Sequence, residues 1–324
     1  LASIVGILIV TMIRPGYAGG TEPTPTPSNM EPTPPPVDPI VAARTPLEAL
    51  LDLLKDIFPD NLFGAAVDMN VLGLITFSVA VGCILPRIGK AGRPFFDLVQ
   101  SINKIVMALI GLVLYYVPFG ICSLVAAKLG EDEHLGAKLE QLGLFIVSVL
   151  AGLAVQTFII LPLLYFVFLR RNPFRFYWQM RETSLIAIGT GSSAAAIPVT
   201  MKCVEAAGVQ QQVAAFVIPL GATVNMTGTA LYESMAVIFI AQSLNVSLNF
   251  GQLCIIALTS ALAAMGAASI PEAGLITMVL VLSAVGLPLD GVALIFAVDW
   301  FLDRIRTVTN VLGDAVVAAI VNGR

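Results

Sequence analysis

From Gln141 to Leu169 the chain carries no charged residue. A helix rises about 1.5 Å per residue, so this run crosses the ~30 Å hydrocarbon layer of a bilayer with length left for tilt. A helix also satisfies its own backbone N–H and C=O groups where no water can. Met69 to Pro86 and Ile105 to Ala127 are further uncharged runs long enough to span. Only 12% of residues are charged, against about 25% in soluble domains. With 57% hydrophobic residues and a mean hydropathy of +0.91, the chain reads as an all-α, multi-pass membrane protein. The formal net charge of -4 says little, because the charges are confined to loops and a few helix positions.

Small motifs exclude other chemistries. Cys83, Cys122, Cys203 and Cys254 lie in apolar segments without CxxC spacing, so neither a disulfide framework nor a zinc site is expected. His134, the single histidine, follows Glu131-Asp132-Glu133 and reads as a solvated residue. The chain opens on an apolar run, Leu1 to Val10, with no Met and no basic segment before it. That reads as the tail of a membrane helix in a fragment, not as a signal peptide. Pro15 to Pro39 is dense in Pro and Thr and is expected to be extended. Thr45-Pro46-Leu47-Glu48 has the form of a capping box, and Leu47, Leu50, Leu51, Leu54 and Phe58 then follow at helical spacing, as in an interfacial helix. Arg87, Lys90, Arg93 and Lys104 mark one basic loop. Arg170, Arg171, Arg175 and Arg181 mark another. The positive-inside rule puts both in the cytoplasm and leaves the Glu131 loop and the Pro/Thr loop outside.

The C-terminal half is interrupted. Ile186 to Thr200 is short and contains Pro198. Gln212 to Ala241 is broken at Asn225-Met226-Thr227-Gly228-Thr229, and Leu253 to Leu282 at Gly266-Ala267-Ala268-Ser269-Ile270-Pro271. Interrupted apolar segments are how carriers build sites at the bilayer midplane. The last apolar stretch carries Asp299, Asp303, Arg306, Asn310 and Asp314. At ~100° per residue these fall within an arc of roughly 80° on a helix. Ionisable residues at membrane depth cost at least ~2.5 kcal/mol each on insertion scales and usually mark a path for a charged ligand.

These motifs are family-specific. Asp299-Trp300-Phe301-Leu302-Asp303-Arg304-Ile305-Arg306-Thr307 with Asn310-Val311-Leu312-Gly313-Asp314 resembles the last transmembrane helix of the dicarboxylate/amino acid:cation (sodium) symporters, the glutamate transporters, and especially their excitatory amino acid transporter branch. Asn225 to Glu233 resembles that family's unwound seventh helix. Ile188-Gly189-Thr190-Gly191-Ser192-Ser193 resembles the tip of its first re-entrant hairpin, and Gly266 to Gly274 the tip of the second. The resemblance implies the glutamate-transporter fold, with two re-entrant hairpins and N-terminal helices missing. Residues 1–128 would be the remnant of the scaffold and trimerisation domain, including an external Pro/Thr-rich loop over 15–45. Residues 129–324 would be the transport domain: sixth helix, first hairpin, seventh helix, second hairpin, eighth helix.

The resemblance also implies roles. Asp303 takes the substrate's amino group, and Arg306 its side-chain carboxylate through a planar, forked guanidinium. Thr307 and Asn310 bind the head group, Thr229 lines the pocket, and Ser193, Ile270 and Gly274 close over it. One Na+ binds Gly221, Asn225, Asn310 and Asp314. A second uses Thr223, Met226, Ala264, Met265 and Ala267. Oxygen donors suit such hard cations. Tyr232 and Glu233 occupy the proton and potassium coupling positions. The implied protein is a sodium-driven symporter of L-glutamate and L-aspartate with K+ and H+ as coupled ions. It is a homotrimeric elevator in the plasma membrane, has no organic cofactor and no nucleic-acid partner, and is not an enzyme.

Four positions depart from the family pattern. Thr227 stands where the family has Asp, Gly191 and Ala194 replace serines, and Glu272 puts an acid at the second tip. A neutral amino acid exchanger of the same fold, or a transport-impaired member with anion conductance, are the rival readings. The exchanger would carry a small residue at position 306. An intramembrane aspartyl protease would need a YD motif, which is absent. Asn225-Met226-Thr227 and Asn245-Val246-Ser247 are formal glycosylation sequons.

Overall fold

The computed structural model describes residues 1–17, 55, 58–67, 70–116, 119–120, 123, 135–267, 273–288 and 292–323. Thr45 to Leu54, most of the Pro/Thr loop, His134, and Ser269 to Glu272 lie outside these. The chain divides into two compact units, one within 50–133 and one made of 1–49 with 134–324.

The smaller unit contains α2 (Leu62–Val67), α3 (Val71–Ile88) and α4 (Arg93–Leu114). The Asn70 side chain caps α3 by accepting from Gly73 N–H at 3.0 Å. A 3-10 turn over Gly89–Gly92 follows, entered at positive φ by Gly89. The sequence places a loop over Arg87 to Lys104, but α4 already starts at Arg93. Its basic residues are spaced among Phe95, Phe96, Leu98, Val99 and Ile102. Charge marked the membrane boundary there, not the end of the helix.

The larger unit is built around α11 (Thr227–Ser243), nearly all of which is buried. Against it lies α1 (Ala2–Ile13). Gly6 permits the approach, since a Cβ there would stand 2.8 Å from the Leu231 carbonyl oxygen. Polar groups lock the pair. Ser234 Oγ donates to the Ser3 carbonyl at 3.2 Å, and Gln242 accepts from Gly16 N–H at 3.1 Å while donating to the Val10 carbonyl at 3.4 Å.

The long uncharged run forms α5 (Leu135–Val155) and α6 (Leu161–Leu169), joined by a π-turn over Gln156–Ile160. Pro162 lacks the N–H that the Phe158 carbonyl would receive, which loosens the turn before it. The opened backbone is used: the half-buried Tyr177 hydroxyl donates to the Thr157 carbonyl at 2.8 Å. Burial pushes that phenol's pKa up and keeps it a donor. Tyr177 belongs to α7 (Pro173–Gln179), which Asn172 caps.

Two helix pairs follow. α8 (Arg181–Thr190) turns at Gly191-Ser192 into α9 (Ser193–Ala206). Gly191 takes φ +59, which glycine adopts without strain, and Ser192 accepts from Ala195 N–H as the cap of α9. The break falls here and not at Pro198, which α9 carries within its second turn. Thr183 and Thr200 hydrogen-bond across the pair. α12 (Phe250–Gly266) and α13 (Ala273–Ala284) form the second pair, and a complete capping box of Asn249 and Gln252 starts α12. Between the pairs, α10 (Gln211–Val224) runs to the break at Asn225-Met226 before α11. α14 (Val292–Asn322) closes the unit and packs on α8, α10, α11 and α13. Within the larger unit, 139–169, 211–243 and 295–322 are long and apolar enough to cross a membrane.

Candidate functional site

The polar stripe of α14 is buried along its whole length. Asp299, Asp303, Arg306, Asn310 and Asp314 are each at most 6% exposed. Packing divides the stripe into two centres.

The first centre is organised by Arg306. Its Nη1 donates to Asp299 Oδ1 at 3.3 Å, and its Nη2 pairs with Asp303. The guanidinium lies 4.4 Å from the Tyr232 ring centroid, a cation–π contact supplied by α11. The Tyr232 hydroxyl and Asp299 Oδ2 are both buried without a hydrogen-bond partner. From α13 comes Gly274: a Cβ there would stand 2.5, 2.8 and 2.9 Å from Arg306 Nη1, Cζ and Nη2. Gly274 is therefore pressed onto the guanidinium, which no larger residue could do without moving it. Glu233 is fully buried beside Thr277 of α13. Each carboxylate attracts the guanidinium by about 5 kcal/mol at these distances for an effective dielectric near 20, and desolvation offsets most of that. Two acids against one cation leave an excess negative charge.

The second centre lies at the break between α10 and α11. Asn310 holds the break open: its Oδ1 accepts from Gly228 N–H at 2.7 Å, and its Nδ2 donates to Thr229 Oγ1 at 3.1 Å. Gly228 sits so close that a Cβ would lie 2.8 Å from the Arg306 carbonyl oxygen. Asn225 Nδ2 donates to Asp314 Oδ1 at 2.9 Å. Gly221 brings backbone to the same carboxylate, with a Cβ position 2.5 Å from Asp314 Oδ1. The Thr227 hydroxyl is buried without a hydrogen-bond partner, 3.2 Å from where a Gly313 Cβ would be. A carboxylate, an amide, close backbone and an orphan hydroxyl make an oxygen-rich, cation-seeking cluster.

Other expected residues are placed less centrally. Met226, Ala264 and Ala267 pack together with Ala230. Thr223 is exposed, with its hydroxyl donating to the Leu220 carbonyl, and Met265 is 46% exposed. Ser193 is buried in the first turn of α9, and the α8–α9 pair meets α14 through Ala187, Ala196 and Val311. The Thr307 hydroxyl donates back to the Asp303 carbonyl at 2.7 Å. Ile270 lies outside the described residues.

A profile of the sodium:dicarboxylate symporter family matches residues 1–324. The chain belongs to the sodium:dicarboxylate symporter family. It is similar to excitatory amino acid transporter 1 of Ambystoma tigrinum, with 46% identity over 276 residues covering 85% of this chain and 50% of that protein. The human protein of that name is 47% identical over 279 residues, covering 85% and 51%. Excitatory amino acid transporter 5 of Mus musculus is 39% identical over 382 residues, covering 99% and 66%. The chain thus spans about half the length of most of the curated relatives it matches. As a symporter-family member it is a membrane protein.

Two features escaped the site residues expected from sequence. Asp299 lies on the stripe but received no role, although its i, i+7 spacing from Arg306 put it within reach. Gly274 was expected to close over substrate, but nothing in its sequence context showed that it packs on Arg306.

Proposed function

We propose that the chain is the substrate- and ion-handling part of a sodium-driven carrier of acidic amino acids, L-glutamate and L-aspartate. The observation that carries this reading is the buried Arg306, neutralised from within by Asp299 and Asp303. In the absence of substrate this internal pairing keeps the cation compensated. An acidic amino acid exchanges partners with it: the side-chain carboxylate takes Arg306, and the ammonium takes Asp303. Asn310, Thr307 and Thr229 orient the head group. Ser193 and the second helix pair, through Ile270 and Gly274, cover it. The α8–α9 and α12–α13 pairs are then the two re-entrant hairpins.

Na+ enters as co-substrate at the second centre, held by Asp314, Asn225, Asn310 and Gly221. A second Na+ uses Thr223, Met226, Ala264, Met265 and Ala267. Substrate and ion are coupled through Asn310, which stands one turn after Arg306 on α14 and hydrogen-bonds Gly228 and Thr229 at the break between α10 and α11. Glu233 and Tyr232, both fully buried, carry a proton and bind K+ on the return step. Residues 50–128 serve as scaffold, α1 travels with α11, to which it is locked, and residues 129–324 move as the transport unit of a homotrimer in the plasma membrane.

The test is uptake of labelled aspartate, glutamate and alanine by the full-length protein with and without sodium. Sodium-dependent uptake of both acids supports the reading. Uptake of alanine alone makes the protein a neutral exchanger, and a substrate-gated anion current without uptake makes it a channel.

A further inference from the structure

The turn from α6 through α7 into α8 carries Arg170, Arg171, Arg175 and Arg181, with Glu182 the one acid among residues 170–182. All four arginines are exposed, and none pairs with a carboxylate among the described residues. Large apolar side chains stand beside them: Phe166, Phe174 and Trp178 are each 47% exposed or more. Phe174 and Trp178 are four apart and share one face of α7, while Phe176 turns inward onto Tyr165 at 4.8 Å between ring centroids. Two arginines are drawn to these aromatics. Arg181 lies 5.3 Å from the Trp178 ring and Arg170 6.0 Å from the Phe166 ring. In water, so much exposed aromatic surface beside arginines that pair with no carboxylate is unfavourable. At a bilayer surface both find one, since Trp favours the headgroup level and guanidiniums the phosphates.

We propose that this α6–α7–α8 turn is a binding surface for anionic phospholipid of the cytoplasmic leaflet. Three observations select that occupant. The α6 segment ends its apolar span at this point, so the surface lies at headgroup depth. The excess of arginines puts this end on the cytoplasmic side, where anionic lipid is concentrated. The aromatic face is continuous with the exposed apolar side chains of α6, including Leu163 and Val167, which gives the acyl chains a track. The headgroup docks on Arg175 and Arg181 beside Trp178. It does not enter the cavity of about 380 Å³ behind Arg171, because the C-terminal ends of α6, α9 and α14 converge there and their carbonyls repel an anion. Arg171 compensates those ends instead. Because α7 leads directly into α8, bound lipid would set the depth of the first helix pair in the membrane. The proposal rests on the membrane reading and is independent of which amino acid is carried.

The test uses the full-length protein in vesicles containing brominated phosphatidylserine or brominated phosphatidylcholine. The readout is the part of the tryptophan quenching that is lost in Trp178→Phe. Stronger quenching by the serine lipid is expected, with the preference shrinking as salt is raised. Arg175→Gln with Arg181→Gln should lower the preference by about fivefold for each charge removed. Arg175→Lys with Arg181→Lys should keep most of it, and Arg14→Gln, at the opposite end, all of it. Equal quenching by both lipids overturns the proposal and leaves the arginines a topological role only. Absence of quenching by either lipid also overturns it, because Trp178 would then lie in water or under protein.

Discussion

The contact between Gly274 and Arg306 makes a quantitative prediction. In Gly274→Ala the new Cβ would stand 2.5 Å from Nη1 and below 3.0 Å from Cζ and Nη2. Ordinary contact needs about 3.5 Å, so α13 and the guanidinium must separate by about 1 Å. Arg306 cannot yield freely, being held by Asp299 and Asp303. Overpacking of this kind costs about 1–3 kcal/mol. A ~1 Å error in a positioned charge also weakens recognition, so aspartate affinity should fall roughly 10- to 100-fold, or about 1.4–2.7 kcal/mol. The assay is equilibrium binding of labelled aspartate at saturating sodium, with the melting temperature measured in parallel. Gly189→Ala is the control, because a Cβ there meets nothing within 4 Å. Unchanged affinity and melting temperature in Gly274→Ala would refute the close packing of α13 on Arg306.

Other outcomes follow from the same geometry. Arg306→Cys should reduce acidic uptake by at least 100-fold while admitting small neutral amino acids, read by competition between labelled aspartate and alanine; retained acidic uptake would sink the carboxylate role. Glu233→Gln should preserve sodium-driven exchange but cut net uptake about tenfold or more, seen by comparing exchange with potassium-dependent net flux; normal net flux would remove Glu233 from the return step. Thr227→Asp adds a carboxylate where an orphan hydroxyl and the Asn225 amide, which bonds Asp314, both approach Gly313, so the Hill slope for sodium in aspartate binding should steepen, and the melting temperature should become sodium-dependent as like charges await a cation. If neither changes, position 227 takes no part in ion binding. Asp299→Asn removes one of the two acids on Arg306, strengthens the hold of Asp303 on the guanidinium and should weaken aspartate binding several-fold; an affinity gain would mean that Asp299, not Asp303, is displaced by substrate.

The uncharged runs and the ~100° spacing of Asp299 to Asp314 determined, without any structure, that the chain is helical, spans a membrane and presents one polar face. The breaks at Asn225 and Gly266 were legible too, because runs of small and polar residues interrupt the apolar pattern there. The first pair misled: the sequence put its interruption at Pro198, which α9 carries within its second turn, whereas the chain turns at Gly191. Basic residues misled at Arg93, where charge marks the bilayer surface and an amphipathic helix continues through it. Spacing along one helix says which residues share a face, but not what packs on that face. Tertiary structure alone therefore divided the stripe, giving Asp299 and Asp303 to Arg306 and Asp314 to Asn225. It also set the backbone of Gly221 and Gly274 against charged groups. Those contacts depend on how closely separate helices approach, and that distance is set by the absence of a side chain at two glycines far from the stripe in sequence.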